Sequence, residues 1–309
     1  MPTQYAHGSD PAASSHMPSR ALALVATLVA LAALLLAACG AQASAAAHDA
    51  PAAPAIGHVT ITAEDFDFNM PSTVPVGPVE FTFVNQGTQV HQAQFFHLNQ
   101  GVTPDQFIAA LKAGGPASTR TLAAPWGGVD ETAPHQPAVH DIVVMAPGTY
   151  VVACLVRGSD GMFHYQMGMV GSFTVAGSGA SPAYSPSDDG TVTEVEMSVT
   201  LPQAISQVGR HTFKVVNAGT TVHALDILQL APGKTAQDVE TYLNEAPPSG
   251  PPPFVLLGGV GGMHPGAGGT QWLLTNLAPG NYVAACLVVD PVSHKTHAAM
   301  GMLTGFTVA

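Results

Sequence analysis

The stretch APGTYVVACLV, residues 146–156, decides how this chain is read, because it returns as APGNYVAACLV at residues 278–288. A Pro-Gly turn opens each copy, and β-branched and aromatic residues follow, as in a strand that starts at a turn. Each copy carries one cysteine near its end, Cys154 or Cys286.

Working outward, the offset of 132 residues also carries Asn85-Gln86-Gly87-Thr88-Gln89-Val90-His91 onto Asn217-Ala218-Gly219-Thr220-Thr221-Val222-His223. It carries Val76-Gly77 onto Val208-Gly209. Downstream, HYQMGMVG (164–171) is answered by HAAMGMLTG (297–305), with one residue inserted on the way. The chain is therefore an internal duplication, and that reading precedes any other. Its copies are expected over residues 58–176 and 191–309, with residues 177–190, GSGASPAYSPSDDG, as a linker.

Each copy reads as β. VEFTFVNQG (79–87) and HTFKVVNAG (211–219) alternate apolar and polar residues and end in a turn, and GSFTVA and GFTVA close the two copies. One helix interrupts each copy. Thr103 can cap the first, Pro104 suits its first turn and Gly114 can end it, while Thr235 starts the second. The fold expected is all-β: two tandem Greek-key β-sandwiches, each with one short inserted helix. With 32 Gly, 26 Pro and 9% charged residues in 309, the composition favours turns and short strands. Eight basic against 20 acidic residues give a formal net charge of −12, so no nucleic-acid partner is expected. A basic protein surface remains compatible with that charge.

The N-terminus carries its own signal. Residues 21–38 form an apolar run after Arg20 that ends in Leu36-Ala37-Ala38-Cys39-Gly40. Small residues before a cleavage point mark a secretory signal peptide. A cysteine at that point resembles the lipobox of bacterial lipoproteins, which implies lipidation of Cys39 and a membrane-anchored, extracytoplasmic protein in the periplasm or on the cell surface. An uncleaved anchor is the alternative, since 18 apolar residues can just span a bilayer. Residues 1–39 are thus expected as signal peptide and residues 40–57, rich in Ala and Pro, as a stalk. Residues 1–16 are polar and unlike a signal, which leaves Met17 as an alternative start.

The recurring side chains form two sets. His91, Cys154, His164 and Met169 make the first, and His223, Cys286, His297 and Met302 the second. Two imidazoles, a thiolate and a thioether match a blue-copper ligand set, trigonal His₂Cys with a weak axial Met. A metal-free reading also exists for each residue taken singly: a solvated turn histidine, a small apolar core cysteine, a packing Met-Gly-Met. A disulfide between Cys154 and Cys286 is disfavoured, because it would join like positions of two separate sandwiches.

At these residues the chain resembles the cupredoxin family. Gly148-Thr149-Tyr150-x-x-x-Cys154 and Gly280-Asn281-Tyr282-x-x-x-Cys286 are similar to that family's Cys-bearing strand. Asn85-x-Gly87 with His91 is similar to its first-histidine turn, and His164 to Met169 to its ligand loop. The resemblance implies copper, and it favours Met169 and Met302 over Met167 and Met300 as axial ligands. Two departures stand out: the Cys-to-His gaps are long, at 155–163 and 287–296, and the second gap carries His294 as a competitor. His97, His135, His140 and His264 have no counterpart in the other copy and are expected at the surface.

Three function classes follow. The first is a membrane-tethered copper protein that passes one electron to a redox partner the sequence does not name, or that stores or delivers copper. The second is a copper enzyme. Multicopper oxidases use His-x-His pairs, which this sequence lacks, and copper nitrite reductases place a His before the Cys, where Ala153 and Ala285 stand. No other catalytic motif occurs, so no enzyme activity is expected. The third class is a metal-free sandwich serving as a surface scaffold.

Overall fold

The computed structural model describes residues 55–178, 181, 183–245, 250–266 and 269–309. The signal, the lipobox Cys39 and nearly all of the stalk lie outside the described residues. Among the described residues no helix is long and apolar enough to cross a membrane.

The first copy runs β1 (Gly57–Glu64), β2 (Asp67–Asn69), β3 (Thr73–Val74), β4 (Gly77–Asn85), β5 (His91–Leu98), α1 (Pro104–Gly114), β6 (Ala123–Thr132), β7 (Val139–Met145), β8 (Gly148–Ala153) and β9 (Val170–Val175). The second runs β10 (Thr191–Val195), β11 (Ser198–Thr200), β12 (Gly209–Asn217), β13 (His223–Leu230), α2 (Ala236–Asn244), β14 (Phe254–Met263), β15 (Thr270–Leu277), β16 (Gly280–Ala285) and β17 (Leu303–Val308). The helices start as the sequence expects: Thr103 and Thr235 each accept from the N3 backbone N–H, and Gln106 and Asp238 return a bond to the cap.

Strand alternation places one face of each strand in a shared core. In β4 Val79, Phe81 and Phe83 are buried while Glu80, Thr82 and Val84 are only partly so. Phe95, Val129, Tyr150 and Val152 face them, with Phe213, Val215, Val260 and Tyr282 in the second copy. Tyr150 and Tyr282 each donate from the phenol to a carbonyl four residues back, Ala146 and Ala278, and so pin the turn before the Cys-bearing strand.

The two sandwiches are not separate, and here the sequence reading is corrected. One sheet has eight strands, in the order β11-β10-β12-β15-β7-β4-β1-β2, and the other has nine, β17-β16-β13-β14-β6-β5-β8-β9-β3. Both sheets run unbroken from one copy into the other, through antiparallel β15–β7 and β14–β6 pairs. Glycine permits the second joint. A Cβ on Gly261 would stand 3.0 Å from Gly127 O across the seam, and one on Gly258 would lie 2.8 Å from Thr132 Oγ1. The linker is also more engaged than a plain spacer. Ser181 Oγ donates to Met145 O at 2.6 Å, Tyr184 packs edge-on against Trp272, and Asp189 N donates to Thr212 O.

The interior holds several carboxylates. Asp141 and Glu194 are fully buried, and among the described residues neither oxygen of either has a hydrogen-bond partner. Burial first, and then the charge of Asp130, push both carboxyls up, Glu194 to about 8.

Candidate metal centres

Each centre is assembled from three places in the fold. His91 begins β5 after the Asn85 turn, Cys154 follows the end of β8, and His164 lies in the loop before β9. The turn is rigid for a stated reason. Asn85 Nδ2 donates to Gln89 O and Thr132 O, and Asn85 Oδ1 accepts from Gly87 N. Asn217 repeats the arrangement with Thr221 O, Met263 O and Gly219 N.

The long Cys-to-His gaps do not loosen the site. A β-bridge pinches each gap into a small hairpin, Arg157 with Phe163 and Val289 with Thr296. The chain then returns to the Cys strand: His164 N donates to Val156 O, Tyr165 N to Cys154 O and Cys154 N to Met169 O. The second loop copies this with His297 to Val288, Ala298 to Cys286 and Cys286 to Met302. Backbone bonds thus set Met169 beside Cys154 and Met302 beside Cys286. All four side chains are fully buried in one apolar cluster.

In the first centre His91 Nδ1 and His164 Nδ1 lie 3.1 Å apart, and Cys154 Sγ lies 3.9 and 3.4 Å from them. In the second the corresponding distances are 3.2, 4.0 and 3.5 Å for His223, His297 and Cys286. Each triangle has a point about 2 Å from all three corners, the length of a metal–imidazole bond and slightly short of a metal–thiolate bond. The donors are therefore already placed for a trigonal ion. Two imidazoles and one thiol suit copper in either oxidation state, and the backbone of Met169 or Met302 is bonded to each Cys. Among the described residues these two trios are the only groups of three or more His, Cys, Asp or Glu ligand atoms within 4.8 Å of one another.

Burial sets the proton inventory. It pushes the Cys154 thiol up to about 12 and Cys286 up as well. It pushes His91, His164, His223 and His297 down, so the imidazoles are neutral at pH 7 and ready to ligate. Cys154 and Cys286 are both free thiols.

The structure adds residues the sequence reading missed. Asp65 Oδ1 stands 3.0 Å from His91 Nε2, and Glu196 Oε1 stands 3.8 Å from His223 Nε2. Hydrogen bonds, chiefly from the Thr88 side chain, hold the Asp65 carboxyl down at about 2, and bonds from Thr220 hold Glu196 at about 2. Asp65 thus fixes the ring that presents His91 Nδ1 to the metal position, an outer-shell role, whereas His223 Nε2 is within hydrogen-bond distance of Thr221 Oγ1 at 3.3 Å with Glu196 farther off. Gly87 is required beneath the first pair, since a Cβ there would lie 2.5 Å from Asp65 Oδ1 and 2.6 Å from His91 Nε2. The signal was faint in sequence: the acids recur at an offset of 131 rather than 132, and as different residue types. Phe66 packs edge-on to His164 at 5.3 Å, and Gln89 Oε1 lies 3.3 Å from His164 Nε2.

Other expectations divide. His294 is exposed and does not join Cys286, so it is no competitor in this arrangement. His135 and His264 are exposed as expected, and His140 is partly buried against Glu80. His97 corrects the surface reading. It stacks on Tyr150 at 4.5 Å and meets Trp126 edge-on, because β5 turns it toward the seam rather than toward water.

No family model matches the sequence, and neither does any curated protein. Solved structures do. Auracyanin A, a "blue" copper protein from Chloroflexus aurantiacus, is similar at 21% identity, over 40% of this chain and 100% of its own, with a TM-score of 0.28. Auracyanin from Roseiflexus castenholzii is similar at 24% identity, over 39% and 95%, with a TM-score of 0.25. Copper nitrite reductase from Nitrosomonas europaea is similar at 16% identity, over 82% and 94%, with a TM-score of 0.23. Strand order, duplicated ligand turns and two His-Cys-His triangles make the described chain a pair of cupredoxin-like sandwiches fused through both sheets.

Proposed function

We propose that this protein binds copper in at least one of its two centres and passes single electrons on the outer side of a membrane, held there by lipid on Cys39. His91, Cys154, His164 and Met169 would hold one ion, and His223, Cys286, His297 and Met302 the other. Bound copper would supply a one-electron couple between Cu(I) and Cu(II). The observation that carries the reading is the preset triangle of donors, present twice with edges that agree to about 0.1 Å.

The chain's own part is to keep that triangle still. Backbone bonds tie each ligand loop to its Cys strand, and Asp65 and Thr221 stand within hydrogen-bond distance of His91 and His223. Burial keeps water from the thiol. A site held this way need not rearrange when its charge changes, which favours electron passage. Ala153 and Ala285 support a carrier over an enzyme, since these side chains precede the cysteines and pack beneath α1 and α2.

Cys154→Ser and Cys286→Ser, separately and together, test the assignment in the copper-loaded chain. Each single variant should lose the thiolate-to-copper absorption of its own centre and the double variant all of it. An unchanged absorption in the double variant would refute both sites. Met162, exposed in the first Cys-to-His loop, supports a second reading, copper storage or delivery. It would show as bound copper that is silent in that absorption.

A further inference from the structure

A cavity separate from the metal centres opens at the seam of the two copies, on the outer face of the eight-stranded sheet. Registered side chains on that face run Glu80, Ile142, Trp272 and Lys214 across β4, β7, β15 and β12. The linker crosses this row, anchored by Ser181 on Met145 O and by Tyr184 on Trp272 at a ring separation of 5.0 Å. Beneath it lies a space of about 450 Å³ lined by Trp126, Trp272, Tyr184, Val144, Ser181 and Lys214. That volume is within the range of small-molecule sites, about 300–1,000 Å³.

Two donors in this wall are unspent. Trp272 is 3% exposed, yet its indole N–H has no acceptor among the described residues. A buried donor left without an acceptor is costly, so an acceptor arriving there is favoured. Trp126 differs, since its N–H donates to Val144 O at 3.2 Å. Lys214 is partly buried and has no acidic partner among the described residues. The chain has only 8 Lys and Arg, and this one stands in an aromatic wall. Glu80, at the other end of the row, is engaged by His58 and His140.

We infer that this cavity binds a flat aromatic carboxylate, its ring held among Trp126, Trp272 and Tyr184 and its carboxylate met by Lys214 and the Trp272 N–H. Three aromatic residues from three segments line the space, with Tyr184 edge-on to Trp272, and so give an apolar wall for a planar body. An ammonium and a free N–H give two donors for an anion. The inference does not depend on copper in either centre.

The chain has two tryptophans, and both line the cavity, so its own fluorescence reports on occupancy. The probe is 2-naphthoate titrated into the full copper-free chain, with 2-naphthalenemethanol as the neutral control and heat of binding as a second readout. Saturable quenching at one site per chain is expected. Lys214→Gln should weaken binding at least tenfold, Lys214→Arg should keep it within about threefold, and the alcohol should bind at least tenfold more weakly. Circular dichroism of Lys214→Gln checks that the sheets are intact, and Lys214→Arg decides if they are not. No saturable signal up to millimolar probe, or equal affinity for acid and alcohol, would overturn the assignment. So would Lys214→Gln binding as well as the parent chain.

Discussion

Replacing Glu194 by Gln isolates the cost of an interior charge. Glu194 lies on β10 opposite Asn217, the position held by Ala63 opposite Asn85 in the first copy. It is fully buried, unpartnered among the described residues and pushed from 4.5 up to about 8, chiefly by burial. A raised carboxyl costs nothing while both folded and unfolded chains are protonated, below about pH 4. The cost grows as the unfolded chain ionises, and levels off above the folded value. At about 1.36 kcal/mol per unit, the charge costs roughly 1 kcal/mol at pH 5, roughly 3 at pH 7 and roughly 4–5 at pH 8.5. Gln has nearly the same shape and the same need for hydrogen bonds at every pH, so only the charge term depends on pH. Urea unfolding of the copper-free chain should therefore show Glu194→Gln gaining about 3–4 kcal/mol over the parent between pH 5 and pH 8.5. A stability difference that is the same at both pH values would refute the reasoning.

Copper uptake at pH 7 should release about one proton for each centre filled, because the raised thiols must ionise and the imidazoles are already neutral; potentiometric titration during loading reads this directly. Asp65→Asn should keep the first centre's thiolate absorption but weaken copper affinity there about 10- to 100-fold, with the second centre unchanged as internal control in competition against a chelator. Gly87→Ala should damage the first centre alone, since its methyl group displaces the Asp65–His91 pair, and metal analysis should show the copper content of Cys154→Ser. Tyr282→Phe should cost about 1–2 kcal/mol in urea unfolding, because the Ala278 carbonyl loses a partly buried donor.

The six residues that meet in the two triangles were legible because each sits in a motif written twice. A His after an Asn-x-Gly turn, a Cys after a Tyr-bearing strand and a His-x-x-Met-Gly-Met loop each survive duplication as visible text. The helices were legible for a similar reason: Thr103 with Gln106, and Thr235 with Asp238, write their capping boxes within four residues. The fused sheets were not. Residues 139–145 and 270–277 carry no sequence sign of each other, yet they pair across the seam as β7 and β15. Partner choice between strands depends on what the rest of the fold leaves exposed at each edge, and local alternation does not record it. Asp65 and Glu196 were missed because strand pairing, rather than sequence proximity, brings them to histidines 26 and 27 residues away.

The most direct test of the copper reading is a visible absorption spectrum of the chain from residue 40 onward, loaded with Cu(II) and paired with metal analysis. An intense thiolate-to-copper band that bleaches on reduction, with one to two copper ions per chain, is the predicted result. A chain that takes up no copper, although its thiols are reduced and its sheets intact by circular dichroism, would contradict it.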